Sequence, residues 1–241
     1  MEVKQMNNRV HRILNGFIEQ ARVLLADNLK SIVLYGSVLS GGYSKRHSDL
    51  NILLVLEKAD IQSLGQTAKI KRNPQFKDIA ILVLTKQYLE NSTDTFPMEF
   101  LDIQESYIIL WGEDCIKGLH IDLKNLRHQC EWELKTKIIQ MQRLYINSAG
   151  NATALRSFLT QSLPSFIVVF KNILRLKGKC ENDKEKIVES IAAEFNVNKD
   201  ILVTLWQSRS LGAKIADAQK AFDAFLQELE SLSDSVDSLV E

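Results

Sequence analysis

Ser31-Ile32-Val33-Leu34-Tyr35-Gly36-Ser37, followed by a Gly-Gly loop and then Ser48-Asp49-Leu50-Asn51-Ile52-Leu53-Leu54-Val55-Leu56, is the stretch that decides how this chain folds. A short apolar run ended by glycine reads as a buried strand, and a second apolar run opens behind Asp49. Gly36 lets the backbone approach a ligand closely, and Ser37 adds a hydroxyl donor where a helix would start. A strand-to-helix turn of this kind offers free N–H groups and a positive helix end, both suited to phosphate. Residues i and i+2 of a strand share a face, so Asp49 and Asn51 point the same way, toward whatever the Gly-Ser turn holds.

Outward from this pair, residues 5–28 carry Val10, Ile13, Leu14, Phe17, Ile18, Ala21, Leu24 and Leu25 at helical spacing. A helix is predicted at 60–72, closed by Asn73-Pro74, and a third strand at Ile79–Leu84. A fourth extended stretch is predicted at Met98–Ile103 and a fifth at Tyr107–Trp111, ended by Gly112. Beyond residue 120 strand signals cease. Asp122 caps a helix reaching Asn147. Gly150-Asn151 breaks it, and a second helix at 152–177 is bent or interrupted by Pro164. Helices at 183–195, 199–210 and 213–239 complete a bundle, with Trp132, Tyr145, Phe166, Phe170 and Trp206 as its aromatic core. The expected organisation is an α/β domain over 1–120 and a helical bundle over 121–241.

Composition narrows the functional classes. The chain has 241 residues, 45% of them apolar and 25% charged, and its 30 basic and 30 acidic side chains cancel. A surface for nucleic acid or anionic lipid at large normally shows a basic excess, so neither partner is expected. Cys115, Cys130 and Cys180 are scattered, with no Cys-x-x-Cys pair, which argues against a disulfide framework or thiolate zinc site and for a reducing, cytoplasmic setting. The most apolar helical stretch, 155–176, contains Arg156, Gln161, Pro164 and Lys171 and reads as a buried helix rather than a membrane span.

The spacing around Gly36 and Asp49 resembles the signature of the nucleotidyltransferase superfamily, which includes aminoglycoside and minimal nucleotidyltransferases. That signature is a hydrophobic residue, Gly, then Gly or Ser, about ten residues, then Asp, a hydrophobic residue, Asp or Glu, and a hydrophobic residue. Here it reads Tyr35-Gly36-Ser37, eleven residues, then Asp49-Leu50-Asn51-Ile52. The resemblance implies an α+β fold: a mixed-sheet nucleotidyltransferase-like domain followed by an all-α helical partner. It implies ATP or another NTP as substrate, with Gly36 and Ser37 on the phosphates and Mg²⁺ held by Asp49 and the residue at 51. Lys45 and Arg46, with His47, would contact the triphosphate from the loop before Asp49, although such loops are also charged simply to face water.

The departure is Asn51, an amide where the family has a second carboxylate. Divalent cations prefer charged oxygens, so the substitution weakens the metal site and makes a two-metal site improbable. The family draws a third carboxylate from a later strand as ligand or base. The candidates are Glu99, interrupting the fourth apolar stretch, then Asp78 at the head of the third strand, then Asp102. Two functions follow: Mg²⁺-dependent transfer of a nucleoside monophosphate from an NTP to a hydroxyl acceptor, or a catalytically impaired homologue that binds a nucleotide or a partner. Helical partners of minimal nucleotidyltransferases include ribonucleases carrying Arg, about four to six residues, then His. No such pair precedes His120 or His128 and no histidine follows, so the bundle is expected to close a substrate cleft or to supply a homodimer face.

Overall fold

The computed structural model describes residues 8–36, 38–39 and 50–239. The chain divides into two compact units, Met1–Ile121 and Asp122–Glu241.

In the first unit, helix α1 (Asn8–Leu25) and a short 3₁₀ turn (Ala26–Asn28) lead into β1 (Leu29–Tyr35). Then come β2 (Leu50–Leu56), α2 (Ile61–Lys71), a 3₁₀ turn (Pro74–Phe76), β3 (Ile79–Thr85), α3 (Lys86–Asn91), α4 (Pro97–Glu105) and β4 (Tyr107–Gly112). The four strands form one mixed sheet in the order β3-β2-β1-β4. β1 runs antiparallel to β2 and β4, whereas β2 and β3 run parallel, joined through α2.

Both faces of this sheet are covered, which explains why the strands read as continuous apolar runs rather than alternating ones. On one face Ile32, Leu34, Leu50, Ile52, Leu54 and Ile79 pack with Leu14, Phe17 and Ala21 of α1 and with Phe76. Phe17 and Phe76 meet edge to face at 5.5 Å. On the other face Val33, Leu53 and Val55 pack with Leu89 of α3, Phe100 and Ile103 of α4, and Ile116.

The stretch 98–103 is helix, not strand. Pro97 occupies the first helical turn, where its missing N–H costs nothing, and Pro97, Phe100 and Ile103 recur every third residue on the buried side. Helical spacing outweighs the local alternation of Met98 and Phe100, and Glu99 therefore stands on an exposed helix face. Helix α3 also escapes sequence reading. It is a six-residue segment, started by Thr85, whose hydroxyl accepts the Tyr88 N–H at 3.0 Å.

The second unit is all helix: α5 (Leu123–Asn147), α6 (Ala152–Leu176), α7 (Lys184–Phe195), α8 (Lys199–Leu211) and α9 (Ala218–Asp237). Asp122 caps α5 by accepting the Lys124 N–H at 2.8 Å. Pro164 lies inside α6, which continues through it unbroken. By length and apolarity α6 is the one described helix that could cross a membrane, yet half of that stretch is buried within the protein, including Leu159, Phe166 and Phe170. Phe166 and Phe170 belong to the bundle core as expected, whereas Trp132 and Tyr145 do not: they are 64% and 43% exposed on α5. Arg127, almost buried, pairs with Glu131 at 2.9 Å and Asp237 at 3.2 Å, tying α5 to the end of α9.

Candidate functional site

The site assembles where β1 ends and β2 begins. Gly36 terminates β1 with φ +85°, a conformation that favours glycine. Its N–H donates to the Ser106 carbonyl at 3.0 Å, and its own carbonyl accepts the Leu39 N–H at 3.0 Å, so the chain turns sharply as it leaves the strand. Val38 and Leu39 are buried against the α1 side of the sheet, which anchors the far side of the turn.

Asn51 lies directly opposite. It is the register partner of Tyr35, and a Cβ placed on Gly36 would come within 3.0 Å of Asn51 Nδ2. Glycine is thus required here twice, by the backbone angle and by the amide packed against it. Asn51 shares the sheet face of Leu53 and Val55, the face that α3 and α4 cover.

Register extends this position into a row across the sheet. Beside Asn51 on β3 stands Ala80, and beyond Tyr35 on β4 stands Tyr107. The row on this face therefore reads Ala80, Asn51, Tyr35, Tyr107. Burial holds the Tyr35 hydroxyl above its ordinary pKa, so it stays protonated at neutral pH. The Tyr107 hydroxyl donates to Asp114 Oδ2 at 2.9 Å. Asp114 also accepts the N–H groups of Ile116 and Lys117, both at 3.0 Å. Gln104 Nε2 donates to the carbonyls of Ile116 and Leu119, so the segment after β4 is fastened over α4.

Of the residues singled out by sequence, the structure brings Gly36 and Asn51 into contact. Ser37, Lys45, Arg46 and Asp49, together with His47, lie outside the described residues. Asp78 precedes β3 in a turn, and its carbonyl accepts the Leu50 N–H at 2.8 Å, which fixes it at the head of β2. Asp78 also lines a hollow of about 330 Å³ shared with Arg9, Arg12 and Lys77. Glu99 is not part of a strand. It lies in the first turn of α4, whose Phe100 and Ile103 reach the same sheet face as Asn51's neighbours Leu53 and Val55.

Sequence reasoning had no means of finding Ala80. The β3 residue beside Asn51 is Ala80, so the register sets a methyl group next to the amide. Asn51 offers a metal a neutral oxygen and Ala80 offers none, so these two described residues bring no negative charge to a divalent cation. Among the described residues no group of three or more His, Cys, Asp or Glu is arranged to hold a metal ion.

No protein-family model matches the chain, and no curated protein matches it. Among solved structures it is similar to the spectinomycin adenyltransferase AAD(9) from Enterococcus faecialis, determined with ATP and spectinomycin. The similarity has a TM-score of 0.54 at 15% identity and spans 91% of this chain and 99% of that one. The chain has the nucleotidyltransferase-like α+β fold, a mixed sheet followed by a helical bundle.

Proposed function

We infer that this protein binds a nucleoside triphosphate at the Gly36-Ser37 turn and has lost, or strongly weakened, the metal-dependent transfer associated with its fold. The observation that supports this reading is Asn51, an amide where the family signature has its second carboxylate, with Ala80 rather than an acid beside it on β3. The turn supports phosphate binding because Gly36 gives close backbone approach and Ser37 a hydroxyl donor. Lys45 and Arg46 are the proposed cationic contacts to the triphosphate. Asp49 is then the one motif carboxylate left to meet Mg²⁺, with the Asn51 amide as a weak second ligand.

A second reading, Mg²⁺-dependent transfer of a nucleoside monophosphate to a hydroxyl, draws support from Asp78. Its carbonyl accepts the Leu50 N–H at 2.8 Å, which holds it beside the head of β2, next in sequence to Asp49. Asp49 would hold the ion, and Asp78 or Glu99 would act as base. In the AAD(9) complex ATP is accompanied by spectinomycin, so by analogy the acceptor would be a small hydroxyl-bearing molecule.

Calorimetric titration with ATP, with and without Mg²⁺, joined to a transfer assay using labelled NTPs and a hydroxyl-acceptor panel, separates the readings. The expected result is ATP binding that depends little on Mg²⁺, with no transfer. The double variant Asn51→Asp, Ala80→Glu should bind ATP at least about tenfold tighter when Mg²⁺ is present. Metal-dependent transfer by the wild type, abolished in Asp49→Ala, would establish the second reading. No nucleotide binding at about millimolar concentration would defeat both.

A further inference from the structure

Asn51 is the one residue of β2 that is not buried, so its side chain is reachable at the head of an otherwise enclosed strand. It has little polar company there. Its ladder neighbours on the same face are the Ala80 methyl and the Tyr35 side chain. Among the described residues its amide has no hydrogen-bond partner. An amide carries two donors and an acceptor, and one that is half buried normally satisfies them.

Gly36 does not supply that partner. Its N–H is taken by the Ser106 carbonyl and its carbonyl by the Leu39 N–H, both at 3.0 Å. What Gly36 supplies is room. Where a Cβ on Gly36 would stand, the nearest described atom is Asn51 Nδ2, at 3.0 Å. The donor end of the amide is therefore the end turned toward the turn that closes β1.

The groups around the amide favour an anion as the missing partner. Burial keeps the Tyr35 hydroxyl protonated at neutral pH, so this neighbour is neutral and also carries a donor. Asp114, at the far end of the row, is occupied by the Tyr107 hydroxyl and by the N–H groups of Ile116 and Lys117. A cation beside Nδ2 would meet N–H hydrogens. A phosphate oxygen there would accept from them, and hydrogen bonds to a charged acceptor are the short, strong kind.

We propose that Asn51 holds the triphosphate of the nucleotide directly, its Nδ2 donating to a phosphate oxygen bound at the Gly36-Ser37 turn. This role rests on the nucleotide-binding reading above and assigns a task to the substituted residue. The amide exchanges one means of holding phosphate for another. A carboxylate at position 51 repels the triphosphate unless Mg²⁺ stands between them, whereas the amide attracts it without the ion. Only the amide oxygen is left for a metal, which is why nucleotide binding should depend little on Mg²⁺.

The experiment is calorimetric titration of the full chain and of its Asn51→Ala and Asn51→Asp variants with ATP, in EDTA and in Mg²⁺. It is joined to NMR of the side-chain amide groups of the wild type. In EDTA, Asn51→Ala should bind ATP at least about tenfold more weakly than the wild type, having lost the donor. Asn51→Asp should be at least as weak, having added a repelling charge. Mg²⁺ should restore binding to Asn51→Asp and leave Asn51→Ala weak. The Asn51 amide resonances, identified by their absence from either variant, should move downfield with ATP or tripolyphosphate in EDTA and stay in place with adenosine. That shift is read on the wild type, so it does not depend on how well a variant folds. Wild-type binding in EDTA that Asn51→Ala matches, with no movement of the amide resonances, would overturn this role and leave the nucleotide-binding reading standing. Wild-type binding seen only in Mg²⁺, or an equal response to adenosine, would overturn it too. No ATP binding by the wild type at about millimolar concentration would overturn the role and the reading together.

Discussion

β2 and β3 lie side by side in parallel register from Leu50↔Ile79 to Leu56↔Thr85 and are equally long and equally apolar in sequence. In the fold they differ sharply. β2 has strands on both sides and most of its side chains are buried, whereas β3 has one neighbour among the described residues and mostly half-exposed side chains. Asn51 on β2 and Ala80 on β3 share one face and are register partners. An apolar run therefore reports that a strand exists, but not whether it is central or peripheral. A residue's chemistry is fixed by its partner across the ladder as much as by its own identity.

The sharpest way to break the comparison is to truncate the same residue in both strands. Leu53 and Leu82 are register partners on one face, the first fully buried and the second partly exposed. Leu53→Ala leaves a cavity between the sheet and α4 and should cost about 2–5 kcal/mol in urea unfolding, whereas Leu82→Ala should cost about 1 kcal/mol or less at low protein concentration. Equal losses in dilute protein would mean that the β3 edge is covered within the monomer.

Two glycines sharpen it further, one at the end of the central hairpin and one on the helix beside the edge. Gly36 has φ +85° and Asn51 packed against it, so Gly36→Ala should cost about 1–2 kcal/mol and displace the amide. Gly65 lies inside α2, and a Cβ there would meet nothing within 4 Å. Gly65→Ala should therefore stabilise the first unit by about 0.5–1 kcal/mol through helix propensity. Thermal melts of the two variants should move in opposite directions. A common direction would mean that the Gly36 turn is not constrained by Asn51.

The strands around Gly36 and Asn51 were legible because burial on both faces leaves long apolar runs and glycine ends them cleanly. The helices of the second unit were legible because their spacing and caps, such as Asp122 and Asp183, are local. The segment 98–103 was not, because its short apolar pattern fits a strand or a helix, and only packing against Leu53 and Val55 decides. Trp132 was misplaced because aromatic residues at helical spacing do not say which helix face finds a partner. In the candidate site, Gly36 and Asn51 could be read from spacing along the chain. Ala80 and Tyr107 could not, because they enter through ladder register, which joins residues far apart in sequence.

Tyr107, at the end of the row opposite to Ala80, offers the mildest test. Its hydroxyl is pushed up to about 12 by burial, then by the hydrogen bond to Asp114 and that group's negative charge. A tyrosine in the unfolded chain ionises near 10, so between about 10 and 12 the folded state holds the proton more tightly. The contribution is complete below the unfolded value and is lost as pH rises through the folded one. Asp114 has the opposite sense. Burial pushes its carboxyl up, but the N–H groups of Lys117 and Ile116 and the Tyr107 hydroxyl outweigh this and hold it below the usual aspartate range. Its contribution is present above the unfolded pKa and disappears as pH falls through the lower folded one. Tyr107→Phe should flatten the alkaline limb of the stability profile and remove part of the late rise in tyrosinate absorbance, leaving Tyr35, also raised by burial, as a late contributor. It should also raise the Asp114 pKa and make the first unit more acid-sensitive, because one donor to the carboxylate is gone. An unchanged profile at both extremes would show that the β4 end of the row is held by the backbone of 114–117 alone.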